Sequence, residues 1–369
     1  MRVIIALILA FAFIGFAQQQ PASAVKTGKI KKSQRSKSGR APVTYADLYS
    51  VAFATPQSGW AVGIGGTIIQ TEDGGKTWKT RTGGASEVLH SVAFATPQAG
   101  WAVGTGGTIL HTEDGGQTWK TQSSGTNSEL HSVFFATQKA GWAVGIGVIL
   151  HTEDGGQTWK TQNTDSNAWL YSVVFATPQS GWAVGDSSDG HVILHTEDSG
   201  EHWTKQDSGV RPVLYSVAFA TPQSGWAVGF SGAITHTDDG GQTWKQQASR
   251  TESPLNSVAF ISPQSGWAVG VDGTILHTED GGKTWTQQTS GTKAFLRSLA
   301  FTTPQSGWAV GDRGAIVRTE DGGRTWVKKY ETAQPTRQGS ETTPSLAQAP
   351  KVTTGKIKEK QRYKSDRGM

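Results

Sequence analysis

Seven near-copies of one unit constrain this chain more than any other feature. Gly-Trp-Ala-Val-Gly recurs around Trp60, Trp101, Trp142, Trp182, Trp226, Trp267 and Trp308, at intervals of 40 to 44 residues. A second motif, T-E-D-G-G-x-T-W or a close variant, follows each copy and ends at Trp78, Trp119, Trp159, Trp203, Trp244, Trp285 and Trp326. Together the two motifs use fourteen of the fifteen tryptophans and leave only Trp169 over. A period near 41 residues admits a propeller or a solenoid. In one repeat, residues 89–96, 100–104, 108–112 and 118–122 are strand-like runs separated by Gly, Pro, Asp or Ser. No segment keeps a helical period. Four antiparallel strands make one propeller blade, and closing seven of them removes the edges of an open array. The expected fold is all-β, a seven-bladed β-propeller of four-stranded antiparallel blades over residues 45–332. An open β-solenoid is the alternative.

The second motif is turn chemistry. A carboxylate can accept backbone N–H bonds, glycine permits positive φ, and tryptophan fills the core. Asp73, Asp114, Asp154, Asp198, Asp239, Asp280 and Asp321 are therefore read as structural turn residues, not as metal ligands or catalysts. With no cysteine in the chain, disulfides, thiolate metal sites and cysteine nucleophiles are excluded. No cofactor or metal site is expected. A histidine column (His111, His151, His195, His236, His277) lies too far from the axis to converge on a metal, and is expected to pack beside the tryptophans.

The ends differ from the body. Arg2, the apolar run 3–17 and Ala22-Ser23-Ala24 read as a signal peptide over 1–24, since the run is short of the ~20 residues that span a bilayer. An uncleaved anchor is the alternative. Residues 25–44 and 333–369 read as disordered and basic, and they share G-K-I-K-x-x-Q-R-x-K-S. Residues 1–46 and 331–369 hold 16 of the 34 Lys/Arg and 4 of the 29 Asp/Glu, which leaves the body net acidic. The paired tails suggest a bivalent clamp for an anionic membrane or envelope polymer, with a solvated, partnerless tail as the alternative. Export to the periplasm, thylakoid lumen or extracellular space is expected. A nucleic-acid partner is not, and the reading is of a monomer.

The T-E-D-G-G-x-T-W motif is similar to the Asp-box, or BNR repeat. Its pairing with GWAVG over residues 47–330 resembles the photosystem II stability/assembly factor family. That resemblance implies a seven-bladed, exported, non-catalytic scaffold binding a protein client, with photosystem II subunits as the implied partners. The family's basic patch is not evident here, because the arginines of the body are dispersed over the blades. The alternative reading is an Asp-box glycan-binding protein or a sialidase-like glycoside hydrolase. A Tyr/Glu pair or paired carboxylates in the channel would favour the alternative. A mouth lined only by Tyr, His, Asn and Arg would favour the scaffold.

Within a repeat, the A-to-B and C-to-D connections are nearly uniform, while D-to-A and B-to-C vary and must share one face. Rigid strands carrying variable loops are how binding surfaces are usually built, with unconstrained drift as the alternative. On that face a varied polar column opens strand A: Tyr49, His90, His131, Tyr171, Tyr215, Asn256 and Arg297. These residues are candidates for ligand contact at the channel mouth, or else for inter-blade packing. Trp169, unrepeated and in a variable loop, is a candidate binding anchor.

Overall fold

A computed structural model describes residues 46–331, except 82–83, 163–166 and 189. The expected signal peptide, the basic linker and the C-terminal tail lie outside the described residues. The described chain forms seven four-stranded antiparallel sheets, each built from four consecutive strands. In the first blade, strand A is Leu48–Phe53, B is Gly59–Gly63, C is Ile68–Thr71 and D is Lys79–Arg81. The same order repeats to the last blade, where A is Leu296–Phe301 and D is Val327–Tyr330. Blades 1 to 7 are numbered in chain order.

Packing explains which residues repeat. The GWAVG segment of every strand B is buried, while the first two residues of each D strand are exposed. The strand B tryptophans are at most 1% exposed, and each stacks on the strand A phenylalanine of the next blade. Trp60 lies 3.7 Å from Phe94, Trp101 3.5 Å from Phe135, and Trp308 returns to Phe53 at 4.0 Å. The Asp-box tryptophan meets the same phenylalanine edge-on, as Trp119 does Phe94 at 6.0 Å. Burial of ~150–250 Å² per tryptophan at ~25 cal/mol/Å² gives about 4–6 kcal/mol gross for each. The first glycine of GWAVG is needed for this contact: a Cβ on Gly59 would come within 2.4 Å of the Phe53 ring.

Polar contacts set the blades in register. The Ser50 hydroxyl accepts from the Val92 amide at 3.2 Å, and the serines of the other A strands act likewise toward the next blade. The seventh bond, from Val51 N–H to Ser298 Oγ, joins first blade to last and closes the ring. A closed propeller, not an open solenoid, is the outcome. The histidine column stacks on the tryptophans, with ring centroids 4.5–4.7 Å apart. In the seventh blade Arg318 takes that place over Trp308.

Candidate functional site

Hydrogen bonding separates the two faces. Each Asp-box donates a backbone N–H to the A-to-B connection of its own blade, as from Gly74 to the Gln57 carbonyl at 2.9 Å and from Gly322 to Gln305 at 2.9 Å. Both uniform connections are thus tied to each other on one face. On the other face the D-to-A connection meets the B-to-C turn: Ile64 N–H donates to the Asp47 carbonyl at 3.0 Å, and Gly147 N–H to Ala168 at 2.9 Å.

The Asp-box geometry accounts for its residue types. In blade 3, Asp154 Oδ1 accepts the Thr158 amide at 2.9 Å and Oδ2 its hydroxyl at 2.6 Å. The Thr152 hydroxyl donates to Asp154 and accepts from the Gly156 amide. The Thr158 hydroxyl, then its amide, hold the Asp154 carboxyl at about 2. Asp73, Asp114, Asp239, Asp280 and Asp321 make the same bonds to their threonines. In blade 4, Asp198 accepts instead from His202 Nδ1 at 2.7 Å, so imidazole replaces the missing threonine.

The variable column lies at the second residue of strand A in six blades and at the third in blade 4, where the strand starts one residue earlier. Five of its members form a chain of ring contacts: Tyr49 to His90 at 5.3 Å, His90 to His131 at 5.5 Å, His131 to Tyr171 at 5.3 Å, and Tyr171 to Tyr215 at 5.6 Å. The Arg297 guanidinium lies 4.5 Å from the Tyr49 ring centroid. Asn256 donates to the Leu296 carbonyl of the next blade at 2.9 Å. His131 Nδ1 lies 3.0 Å from the Leu170 carbonyl, which can only accept, so that nitrogen carries the proton. The rings are half-buried, and burial pushes Tyr171 and Tyr215 up, with Asp186 adding to it. Burial pushes His90 down, against the opposing pull of Glu129.

Carboxylates stand beside the column as well. Glu129 Oε1 lies 2.7 Å from His90 Nε2 and 3.6 Å from His131 Nε2, and Asp312 pairs with Arg297 Nε. Asp186 lies near enough to Tyr171 and Tyr215 to raise both. Asp312 is thus held in an ion pair with Arg297, and Glu129 lies against the imidazoles of His90 and His131.

Trp169 opens strand A of blade 4 (Trp169–Phe175), pairs with Asp186 and bridges to Ile146 of blade 3. It is 51% exposed. Three further large apolar side chains are exposed on the same face: Ile64 and Phe230 directly after GWAVG, and Phe295 directly before strand A. The sequence reading singled out none of these three. The signal was present one residue outside the strands, where the other blades carry Thr105, Val271 or Asp312, and Asp47, Val88 or Pro254.

These features define a ring-closed Asp-box propeller with a rigid uniform face and an aromatic, partly apolar variable face. The model of the family "Photosynthesis system II assembly factor YCF48" matches residues 31–123, 84–165, 119–207 and 205–294. The chain belongs to that family. The fold is similar to that of "YCF48 bound to D1 peptide", with 24% identity, a TM-score of 0.65, and 75% of this chain and 94% of that one covered. It is also similar to YCF48 from Cyanidioschyzon merolae, at 22% identity and TM-score 0.64 over 76% and 97% of the two chains. A GH74 xyloglucanase from Xanthomonas campestris shares the fold at 14% identity and TM-score 0.63, over 76% of this chain and 52% of that one. None of the curated proteins matches this chain in sequence.

Proposed function

We propose that this protein is an exported, monomeric, non-catalytic scaffold that binds a photosystem II subunit or its precursor through the variable face. The observation that carries the reading is the clustering there of the Tyr49–Tyr215 ring chain, Arg297 over Tyr49, and four exposed apolar side chains. Such a surface offers rigid aromatic area, which suits a protein segment. A solved member of the family is described as bound to a D1 peptide, which supports a client of that kind here. The commitment of Asp312 to an ion pair with Arg297 speaks against its use in glycoside hydrolysis.

The tails belong to the same reading. Asp47 and Glu331, at the two ends of the described chain, both bond Arg313 in the variable-face turn of blade 7. Two copies of a basic motif starting from neighbouring points would grip an anionic membrane surface bivalently. The test is affinity capture from solubilised host membranes, with a Trp169→Ala/Arg297→Ala bait as control. Photosystem subunits retained by the wild type and lost by the control support the proposal. Capture of envelope glycan alone overturns it.

A further inference from the structure

Blade 4 departs from the other six in its Asp-box. The residue four places after the aspartate is threonine in six blades and His202 in blade 4. The residue just before it is Lys76, Gln117, Gln157, Gln242, Lys283 or Arg324 in the other blades, and Glu201 here. Two neighbouring positions thus change together, both to side chains that ligate metals. They stand beside Asp198, and one ligand atom from each of Asp198, Glu201 and His202 lies within 4.8 Å of the other two. Among the described residues no other three His, Asp or Glu side chains converge in this way.

The turn itself does not require this set. Asp198 Oδ1 accepts the His202 amide at 2.9 Å and the Thr196 hydroxyl at 2.8 Å, the same bonds that hold the Asp-box of blade 3. Asp198 Oδ2 faces the His202 ring, with Nδ1 at 2.7 Å. In the other blades a threonine hydroxyl fills that place and brings no imidazole. Glu201 makes none of these bonds, and it adds a negative charge beside Asp198 where three blades carry a cation. Glu201 and His202 are exposed and Asp198 is half-buried, so an ion can reach all three from solvent. Donors that share one ion at ~2.0–2.2 Å stand ~2.9 Å apart when they are neighbours in an octahedron. The 2.7 Å between Asp198 Oδ2 and His202 Nδ1 is close to that spacing. One imidazole with two carboxylates suits a first-row transition ion, whereas Mg²⁺ and Ca²⁺ prefer oxygen alone. We infer that Asp198, Glu201 and His202 bind a divalent first-row transition-metal ion on the uniform face, with water completing its shell. The ion takes the place of the proton that His202 Nδ1 now shares with Asp198 Oδ2, and that proton leaves to solvent. Asp198, read from the sequence as a turn residue alone, keeps that role through Oδ1. The site lies on the face opposite the Tyr49 column and stands independently of the client reading.

The probe is Zn²⁺, titrated by calorimetry into the full chain carrying no affinity tag, with Mg²⁺ as the oxygen-preferring control. His202→Thr and Glu201→Gln restore residues that other blades carry at these places, which guards the fold, and thermal melts verify it. The expected result is saturable 1:1 binding of Zn²⁺, weakened at least ~10-fold by either reversion, with Mg²⁺ at least ~10-fold weaker than Zn²⁺. Trp169→Ala, on the other face, leaves Zn²⁺ binding unchanged. Absence of saturable Zn²⁺ binding, or binding indifferent to both reversions, overturns the site. A loss confined to one reversion overturns the three-donor set. Mg²⁺ binding as tight as that of Zn²⁺ shows charge attraction only and overturns the transition-metal reading.

Discussion

The Ser298 hydroxyl of the last blade accepts the Val51 amide of the first at 3.2 Å, across 247 residues of chain. It is the same bond that the other six blade junctions make, so the closing junction is built like the rest. No strand is exchanged between the chain ends, because each blade uses four consecutive strands. Closure therefore rests on packing and a few polar contacts: Trp308 on Phe53, the serine bond, and Asp47 accepting the Arg313 amide.

The closing junction is expected to be a weak point. Asp47→Ala leaves the Arg313 amide without its acceptor and is expected to cost ~1 kcal/mol. Trp308→Ala opens a large void at the same seam and is expected to cost ~3–5 kcal/mol. Calorimetric melts of the two variants check the order. Equal, negligible shifts would show that the seam is not where the ring yields.

The Asp-box glycines sit against tryptophan. Gly116 has φ +79°, and a Cβ there would come within 2.3 Å of Trp60 Nε1 in the neighbouring blade. Gly116→Ala is expected to lower the melting temperature more than Asp154→Ala, which removes the acceptor of the two Thr158 bonds. Asp272 has φ 55° at a turn position where the first two blades carry Gly65 and Gly106. Asp272→Gly is expected to be neutral or to stabilise by up to ~1 kcal/mol.

Acid should act in two stages. Burial first, then nearby cations for most of them, keeps the stacked histidines below their ordinary 6.5, as for His111 and His277. A lowered histidine means the unfolded chain binds protons more readily, so stability starts to fall as pH drops below 6.5. The Asp-box carboxyls are lowered too, from 3.8 to about 2 for Asp154 and Asp239. Their stabilisation is complete above 3.8 and is lost as pH falls toward 2, although exposure screens each one. Replacing the five histidines by Gln, which blade 1 carries as Gln70, should flatten the first stage and leave the second. Denaturant midpoints between pH 8 and 2 are the readout.

Client affinity should depend on the variable face alone. Trp169→Ala, Phe230→Ala and Phe295→Ala each remove an exposed apolar side chain and are expected to leave melting unchanged. Where the side chain anchors a client, binding should weaken by ~10-fold or more. Surface plasmon resonance with the captured client separates anchors from bystanders.

Blade number, strand order and the uniform face were legible because they are local: each repeats seven times within about 41 residues, and turn chemistry and strand period need no distant partner. The face carrying the variable loops was legible for the same reason, since alternation of antiparallel strands decides it. The sequence by itself did not reveal that Glu129 would join His90 and His131, or that Phe134, Val174, Ile261 and Thr302 would meet in one cavity. The Glu129–His90 contact and the cavity join residues from different blades, and their distances depend on how seven sheets are set around a common axis. Repeat periodicity determines what one blade is; only the closed ring decides which blade-specific side chains become neighbours.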